Sequence, residues 1–266
     1  MKKLFLALLA VATTLIASAQ YTAPQIVANG GYHKAASSGA KNTMSALKAA
    51  QKLKVYGSKC EVNLTKDGEV LIVHNGWHPN RKASPKADVQ RSTMEKMRTI
   101  PHANGETICT LEEFLKQAKK KPATKLILDL KNQATIQRET ELVEAVLTIV
   151  DNAGMQANVE YTAEHAWINF QLAKFASKES KITGLANPEY IKAMGLSGLN
   201  CKLWHVKSKH KSWIKEAHNL GLTVNVYGVN KEEDIRWCIQ NGVDSITTDD
   251  PVLAKKIIKE MCGKQK

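Results

Sequence analysis

Short β-branched or apolar runs alternate with longer amphipathic ones along most of the chain, and few architectures accept that order. Each short run reads as a strand and each longer one as a helix, so the repetition builds βα units around a parallel sheet. The strands expected are Ile26–Ala28, Tyr56–Leu64, Val70–Val73, Lys125–Asp129, Asn158–Thr162, Lys181–Gly184, Leu199–Lys202, Thr223–Val229 and Ser245–Thr248. The helices expected are Thr43–Leu53, Leu111–Lys120, Ile136–Ala153, Ala163–Ala176, Lys209–Leu220, Glu232–Asn241 and Pro251–Glu260. Lys66-Asp67-Gly68 reads as a tight turn, and Thr110 with Glu113 as a capping box. Gly154, Gly221 and Gly242 follow helices where a left-handed residue ends them. No Pro/Gly/Ser-rich linker divides the chain, and about 250 residues is the usual length of one α/β barrel. The expectation is therefore an α/β fold, a single-domain (β/α)8 TIM barrel. A doubly wound open sheet is the alternative, but Asn29-Gly30-Gly31 is too short for its Gly-rich phosphate loop.

The chain opens with Lys2 and Lys3, an apolar run from Leu4 to Ile16, and Ala17-Ser18-Ala19. That is the order of a signal peptide, placing residues 1–19 in the leader and 20–266 in the barrel domain. The expectation is an exported protein, periplasmic or secreted. No later run approaches the roughly 20 apolar residues that cross a bilayer, so no transmembrane segment is expected. The formal net charge of +13, two units of which leave with Lys2 and Lys3, reads first as solvated surface charge and second as a weak attraction for acidic lipid or phosphorylated substrates. No base-reading module accompanies it, so nucleic acid is not an expected partner. Five cysteines without C-x-x-C spacing argue against a zinc or redox motif and for mostly buried thiols.

An ordered series of segments narrows this further. Ile26-Val27-Ala28-Asn29-Gly30-Gly31 ends the first strand, Lys41-Asn42-Thr43 opens a helix, and Lys59-Cys60-Glu61 lies in the second strand. Thr65-Lys66-Asp67-Gly68 and Val73-His74-Asn75 follow, and Gly242-Val243-Asp244-Ser245-Ile246-Thr247-Thr248-Asp249-Asp250-Pro251 closes the series. Together these segments resemble the glycerophosphodiester phosphodiesterases over nearly all of the chain beyond the leader. The resemblance implies a barrel that hydrolyses glycerophosphodiesters to glycerol 3-phosphate and an alcohol, usually with a divalent cation such as calcium or magnesium. In that family the first strand ends in His-Arg-Gly, the second carries Glu-x-Asp and the third ends in His-Asp, while a later strand adds an acidic ligand, often within Glu-x-Lys. A phosphodiester repels hydroxide, so positive charge must neutralise its oxygens while one group takes a proton and another gives one to the leaving alcohol.

Carried over by motif, the resemblance puts Asn29 at the first catalytic histidine, Gly30 at the arginine, and Lys59 and Glu61 at the two acids. His74 keeps the second histidine, Asn75 replaces the neighbouring aspartate, Asp129 falls at the later acid and Lys131 at its lysine. Asn29 has no titrating proton near neutrality. Glu61 and Asp129 can hold a cation weakly, or either can pair with Lys59, which repels a divalent ion. Lys131 can contact phosphate or pair with Asp129. His33, four residues after Asn29, reaches the vacated position only if its loop folds back. Either Asn42 or Thr43 can cap the helix that follows. The resulting expectation is a family barrel with impaired hydrolysis; the alternative is a non-catalytic barrel that binds phosphate, a glycerophosphodiester or another phosphorylated small molecule through Gly30, Lys59 and Lys131. Placing His at 29, Arg at 30 and Glu at 59 is expected to raise chelator-sensitive hydrolysis.

Overall fold

The computed structural model describes residues 21–35, 39–73 and 88–263. The leader and His74, Asn75 and Trp77 lie outside the described residues. The chain runs β1 (Gln25–Asn29), α1 (Met44–Leu53), β2 (Gly57–Leu64), β3 (Val70–Ile72), α2 (Met94–Arg98), β4 (Cys109–Thr110) and α3 (Leu111–Ala118). It continues through β5 (Lys125–Leu130), α4 (Ile136–Ala153), β6 (Val159–Ala163), α5 (Ala166–Phe175), β7 (Ile182–Gly184) and α6 (Pro188–Ala193). The last elements are β8 (Gly198–Lys202), α7 (Trp213–Asn219), β9 (Thr223–Tyr227), α8 (Glu232–Gln240), β10 (Ser245–Thr248) and α9 (Pro251–Cys262).

Eight of these strands form a closed parallel barrel in the order β1-β2-β5-β6-β7-β8-β9-β10, because β1 pairs with both β2 and β10. Strands β3 and β4 extend β2 as an antiparallel ribbon. The single-domain barrel expected from the alternating pattern is therefore the fold, and the open doubly wound sheet is excluded by the β1–β2 pairing.

Alternation of side chains along each strand splits the residues between two layers. Ala28, Cys60, Val62, Leu126, Leu128, Val224, Val226 and Ile246 face the helices and join the main apolar core with Leu47, Phe114, Leu142, Ile235 and Ile257. The other set points inward. There Thr162, Asn200, Asn225, Ser245 and Thr247 form a hydrogen-bonded layer: the Asn200 amide donates to Thr162 Oγ1 at 2.7 Å, and Asn225 Oδ1 accepts from Ser245 and Thr247. The Asn225 amide donates to Asn200 Oδ1 and links the two halves. Packing this interior needs small residues; a Cβ on Gly57 would stand 2.6 Å from Ile127 Cδ1.

Local chemistry sets the ends of the elements. Thr110 and Glu113 form the reciprocal capping box. Gly154 closes α4 in the left-handed region at φ +61°. Thr43 caps α1 by accepting from the Ala46 amide at 3.2 Å, which leaves Asn42 for a different task. Gly68 turns the β2–β3 ribbon at φ +91°, while the Asp67 carboxylate accepts from the Met94 amide and ties α2 to that turn. Two expected helix starts move by more than two residues. Ala163 belongs to β6, so α5 starts at Ala166, and His205–Lys209 form a separate π-helical turn ahead of α7. Three short elements, α2, β4 and α6, have no counterpart in the expected set. All five cysteines are free thiols.

The β8–β9 contact gives a direct test of close packing. A Cβ on Gly198 would lie 2.3 Å from the carbonyl oxygen of Thr223, its ladder partner. Gly198→Ala is expected to lower stability by about 1–3 kcal/mol, read as a shifted urea midpoint at unchanged slope.

Candidate functional site

The strand register brings the residues singled out in the sequence to one end of the barrel. Asn29 lies opposite Lys59 across β1–β2, and Glu61 lies opposite Asp129 across β2–β5. All four belong to the inward-facing set, at the strand C-terminal ends where barrel sites form.

Two charge clusters occupy this mouth. In the first, Lys59 Nζ lies 2.9 Å from Asp129 Oδ2, and both residues are buried. Lys131 Nζ approaches the same oxygen at 3.4 Å and is less buried. Burial opposes the charge of Lys131, but Asp129, Glu61 and Glu164 outweigh it and hold its pKa above the usual lysine value. Tyr227 closes one side: Lys59 Nζ stands 5.4 Å from its ring centroid, and its hydroxyl donates to Glu164 at 3.1 Å. Burial is the main cause that pushes the Tyr227 hydroxyl well above its ordinary pKa. Asn42, at φ +60°, points its Oδ1 to the Glu61 amide at 3.1 Å and so fixes β2 beside the mouth.

The second cluster centres on Asp249, which the sequence offered only as part of a closing motif. The Asn29 amide donates to Asp249 Oδ1 at 2.8 Å, and Lys41 Nζ lies 2.7 Å from the same oxygen. His33 Nε2 is 3.4 Å away, within ion-pair reach but outside hydrogen-bond geometry. Asn230 accepts from the Asp249 amide at 2.8 Å and donates to its Oδ2 at 3.3 Å. Burial would raise the Asp249 pKa, yet His33, Lys41 and Asn29 together hold it far below the ordinary carboxylate value. The loop after β1 has thus folded back, bringing His33 to the carboxylate that binds Asn29.

Gly30 has no side chain to contribute, and its surroundings explain what replaces one. It sits at φ +70°, and a Cβ there would stand 2.6 Å from Lys41 Cβ. The stem of Lys41 fills the space over Gly30 and carries its own ammonium into the mouth.

The sequence model of the glycerophosphoryl diester phosphodiesterase family matches residues 29–253. The chain belongs to that family. A glycerophosphodiester phosphodiesterase from Bacillus altitudinis is 27% identical over 235 residues, covering 83% of this chain and 94% of that protein. The uncharacterized protein YqiK of Bacillus subtilis is 26% identical over 232 residues, covering 82% and 93%. Among solved structures, a glycerophosphodiester phosphodiesterase from Parabacteroides distasonis superposes with a TM-score of 0.84 at 27% identity, covering 90% of this chain and 98% of that one. A phosphodiesterase from Oleispira antarctica, solved with the product sn-glycerol-3-phosphate, shares the fold at a TM-score of 0.76 and 17% identity, covering 89% and 97%.

Family members generally use a divalent metal, and the donor set here can be tested against one. Among the described residues, no group of three or more His, Cys, Asp or Glu side chains is placed to hold an ion. Asp129 already meets two ammonium groups, and a divalent cation bound to its Oδ2 would face both at contact distance. The described residues do not fit a divalent metal.

Asp249 supplies a pH test. Its folded pKa lies below the roughly 3.9 of an unfolded chain, so its pairing stabilises the fold fully above that value and is lost as pH falls toward the depressed one. Asp249→Asn is expected to lower the melting temperature at neutral pH and to flatten its decline below about pH 4. The glycine supplies another. Gly30→Arg, which places the arginine that the resemblance assigns there, is expected to lose more than about 1 kcal/mol in urea unfolding, and adding Lys41→Ala to recover part of that loss.

Proposed function

We propose that this family member binds small phosphorylated molecules at the barrel mouth through lysine ammonium groups, and hydrolyses glycerophosphodiesters slowly or not at all. The observation that carries the reading is the buried Lys59–Asp129 contact at 2.9 Å, which sets an ammonium against the carboxylate expected to bind the family's metal. Diester hydrolysis needs charge neutralisation and paired proton transfer together. Asn29 cannot exchange a proton, and its amide is held by Asp249. Losing one acid-base partner commonly removes a factor of about 10² to 10⁴ in rate. The resemblance leaves His74 as the remaining partner.

Binding asks for less. Lys131 shares Asp129 with Lys59 at the longer distance, is partly exposed and stays charged, so it has N–H donors free to meet a phosphate oxygen. Lys41, paired with Asp249 beside β1, supplies a further ammonium at the mouth. The Oleispira antarctica phosphodiesterase, which shares this fold, was solved with sn-glycerol-3-phosphate, a ligand of the proposed class.

A second reading has one observation behind it. His33 lies 3.4 Å from Asp249, so a histidine–aspartate pair stands beside Asn29. In that reading His33 exchanges the proton that Asn29 cannot, and hydrolysis proceeds without a bound metal.

Hydrolysis of glycerophosphocholine, followed with and without chelator, separates the two. The expected result is no chelator-sensitive turnover, and a rise in it when Asn29→His is combined with Lys59→Glu while Gly30 is left in place. Ordinary metal-dependent turnover by the unmodified protein would overturn the proposal; chelator-insensitive turnover lost in His33→Ala would establish the second reading. Calorimetry should show saturable binding of glycerol 3-phosphate, weakened roughly tenfold or more in Lys131→Met, and no saturable heat with calcium or magnesium.

A further inference from the structure

Six large apolar side chains are exposed among the described residues, and their placement around the barrel is uneven. Ile136 is the first residue of α4 and Tyr190 the third of α6, while Trp204 lies in the connection that follows β8. Phe170 sits one turn into α5, stacked on Trp167 at 5.6 Å. These four follow β5, β7, β8 and β6, four strands adjacent in the barrel, and each connection leaves its strand at the same end as the mouth. Val252, second in α9, lies elsewhere on that rim, and Phe175 at the end of α5 faces the opposite end of the barrel.

The Trp204 end of this arc is strongly basic. Five lysines lie from Lys202 to Lys215 with no acidic residue between them. Lys207 is tied to Asp234 at 2.7 Å, but among the described residues no carboxylate meets Lys202, Lys209 or Lys211, all exposed. Lys209 Nζ stands 5.4 Å from the centroid of the Trp204 ring, so cation and aromatic face point to solvent together. The exposed acids of the arc include Glu164, engaged by Tyr227, and Glu189, while Glu232 and Glu233 beside its Trp204 end pair with Arg236 and Lys231, which leaves Lys202, Lys209 and Lys211 unbalanced.

We infer that this half of the rim docks on an anionic lipid surface, with the barrel mouth facing the headgroups. Neighbouring helices pack about 8–10 Å apart, so the apolar side chains are separate prongs rather than one continuous patch. A fluid headgroup layer closes around separate prongs, whereas a protein partner needs a contiguous dry centre. Trp and Tyr are the side chains that favour the headgroup level, and lysines beside them are drawn to acidic lipid. The inference holds whether or not the mouth turns over a diester.

Vesicle flotation tests it, using phosphatidylcholine alone and phosphatidylcholine mixed with phosphatidylglycerol. The protein is expected to float with the mixed vesicles and not with the neutral ones. Trp204→Ser should weaken partitioning roughly tenfold, and Lys209→Glu with Lys211→Glu by at least about fivefold for each charge removed. Phe175→Ser, an equally exposed change at the far end, should leave it unaltered. Failure to float with phosphatidylglycerol, or equal loss from Phe175→Ser, would overturn the inference. Release by inorganic phosphate at constant ionic strength would place a single headgroup in the mouth and also overturn it. So would a solution dimer, seen by light scattering, that Trp204→Ser dissociates.

Discussion

A carboxylate enclosed by a ring of strands has little water to solvate it and must be met by donors from the wall. In this barrel that requirement governs the mouth. Asp129 is met by Lys59 and Lys131, and Asp249 by Lys41, Asn29 and Asn230. Each acid draws its partners from different strands or connections, so the charges also fix how the strand ends stand relative to one another. Beneath them the Thr162–Asn200–Asn225 layer satisfies its own hydrogen bonds and leaves the charged groups above to be balanced among themselves.

The residues at the positions where the resemblance sets the family's motif answer one another's charge and space. An ammonium at Lys59 stands against the Asp129 carboxylate. Gly30 carries no cation, but the same absence of a side chain makes room for Lys41. Asn29 donates to Asp249, the carboxylate that also accepts Lys41. Changing one position alone would leave its partner without a counterpart, so the mouth behaves as one coupled charge arrangement.

The sequence made the barrel legible because its strands alternate sharply with helices and because motif spacing put Asn29, Lys59, Glu61 and Asp129 on a common face. Lys59 was expected to pair with Glu61 or Asp129, and its partner is Asp129, two residues beyond its ladder neighbour Ile127. Asp249 was not legible, since its contacts reach Asn29 across 220 positions and nothing local marks them. Its neighbour Asp250 caps α9 through the Leu253 amide, and two adjacent aspartates before a proline read most simply as that cap. Lys41 was hidden for a related reason: its role depends on the left-handed turn at Gly30, a three-dimensional fact. The short helices α2 and α6 carry too few turns to show a period, and α6 is set by Asn187 capping and Pro188 instead.

The pairing of β1 with both β2 and β10 reaches beyond the finished architecture. A ribosome delivers the first strand long before the last, so for almost the whole of synthesis β1 has one edge unsatisfied, and Asp249, the acceptor of the Asn29 amide, does not yet exist. Completion depends on a contact of near-maximal sequence separation, which makes ring closure the late, slow event of folding. Until the final strand arrives, the nascent chain presents an open β edge, the kind of surface on which a chaperone acts or an aggregate begins.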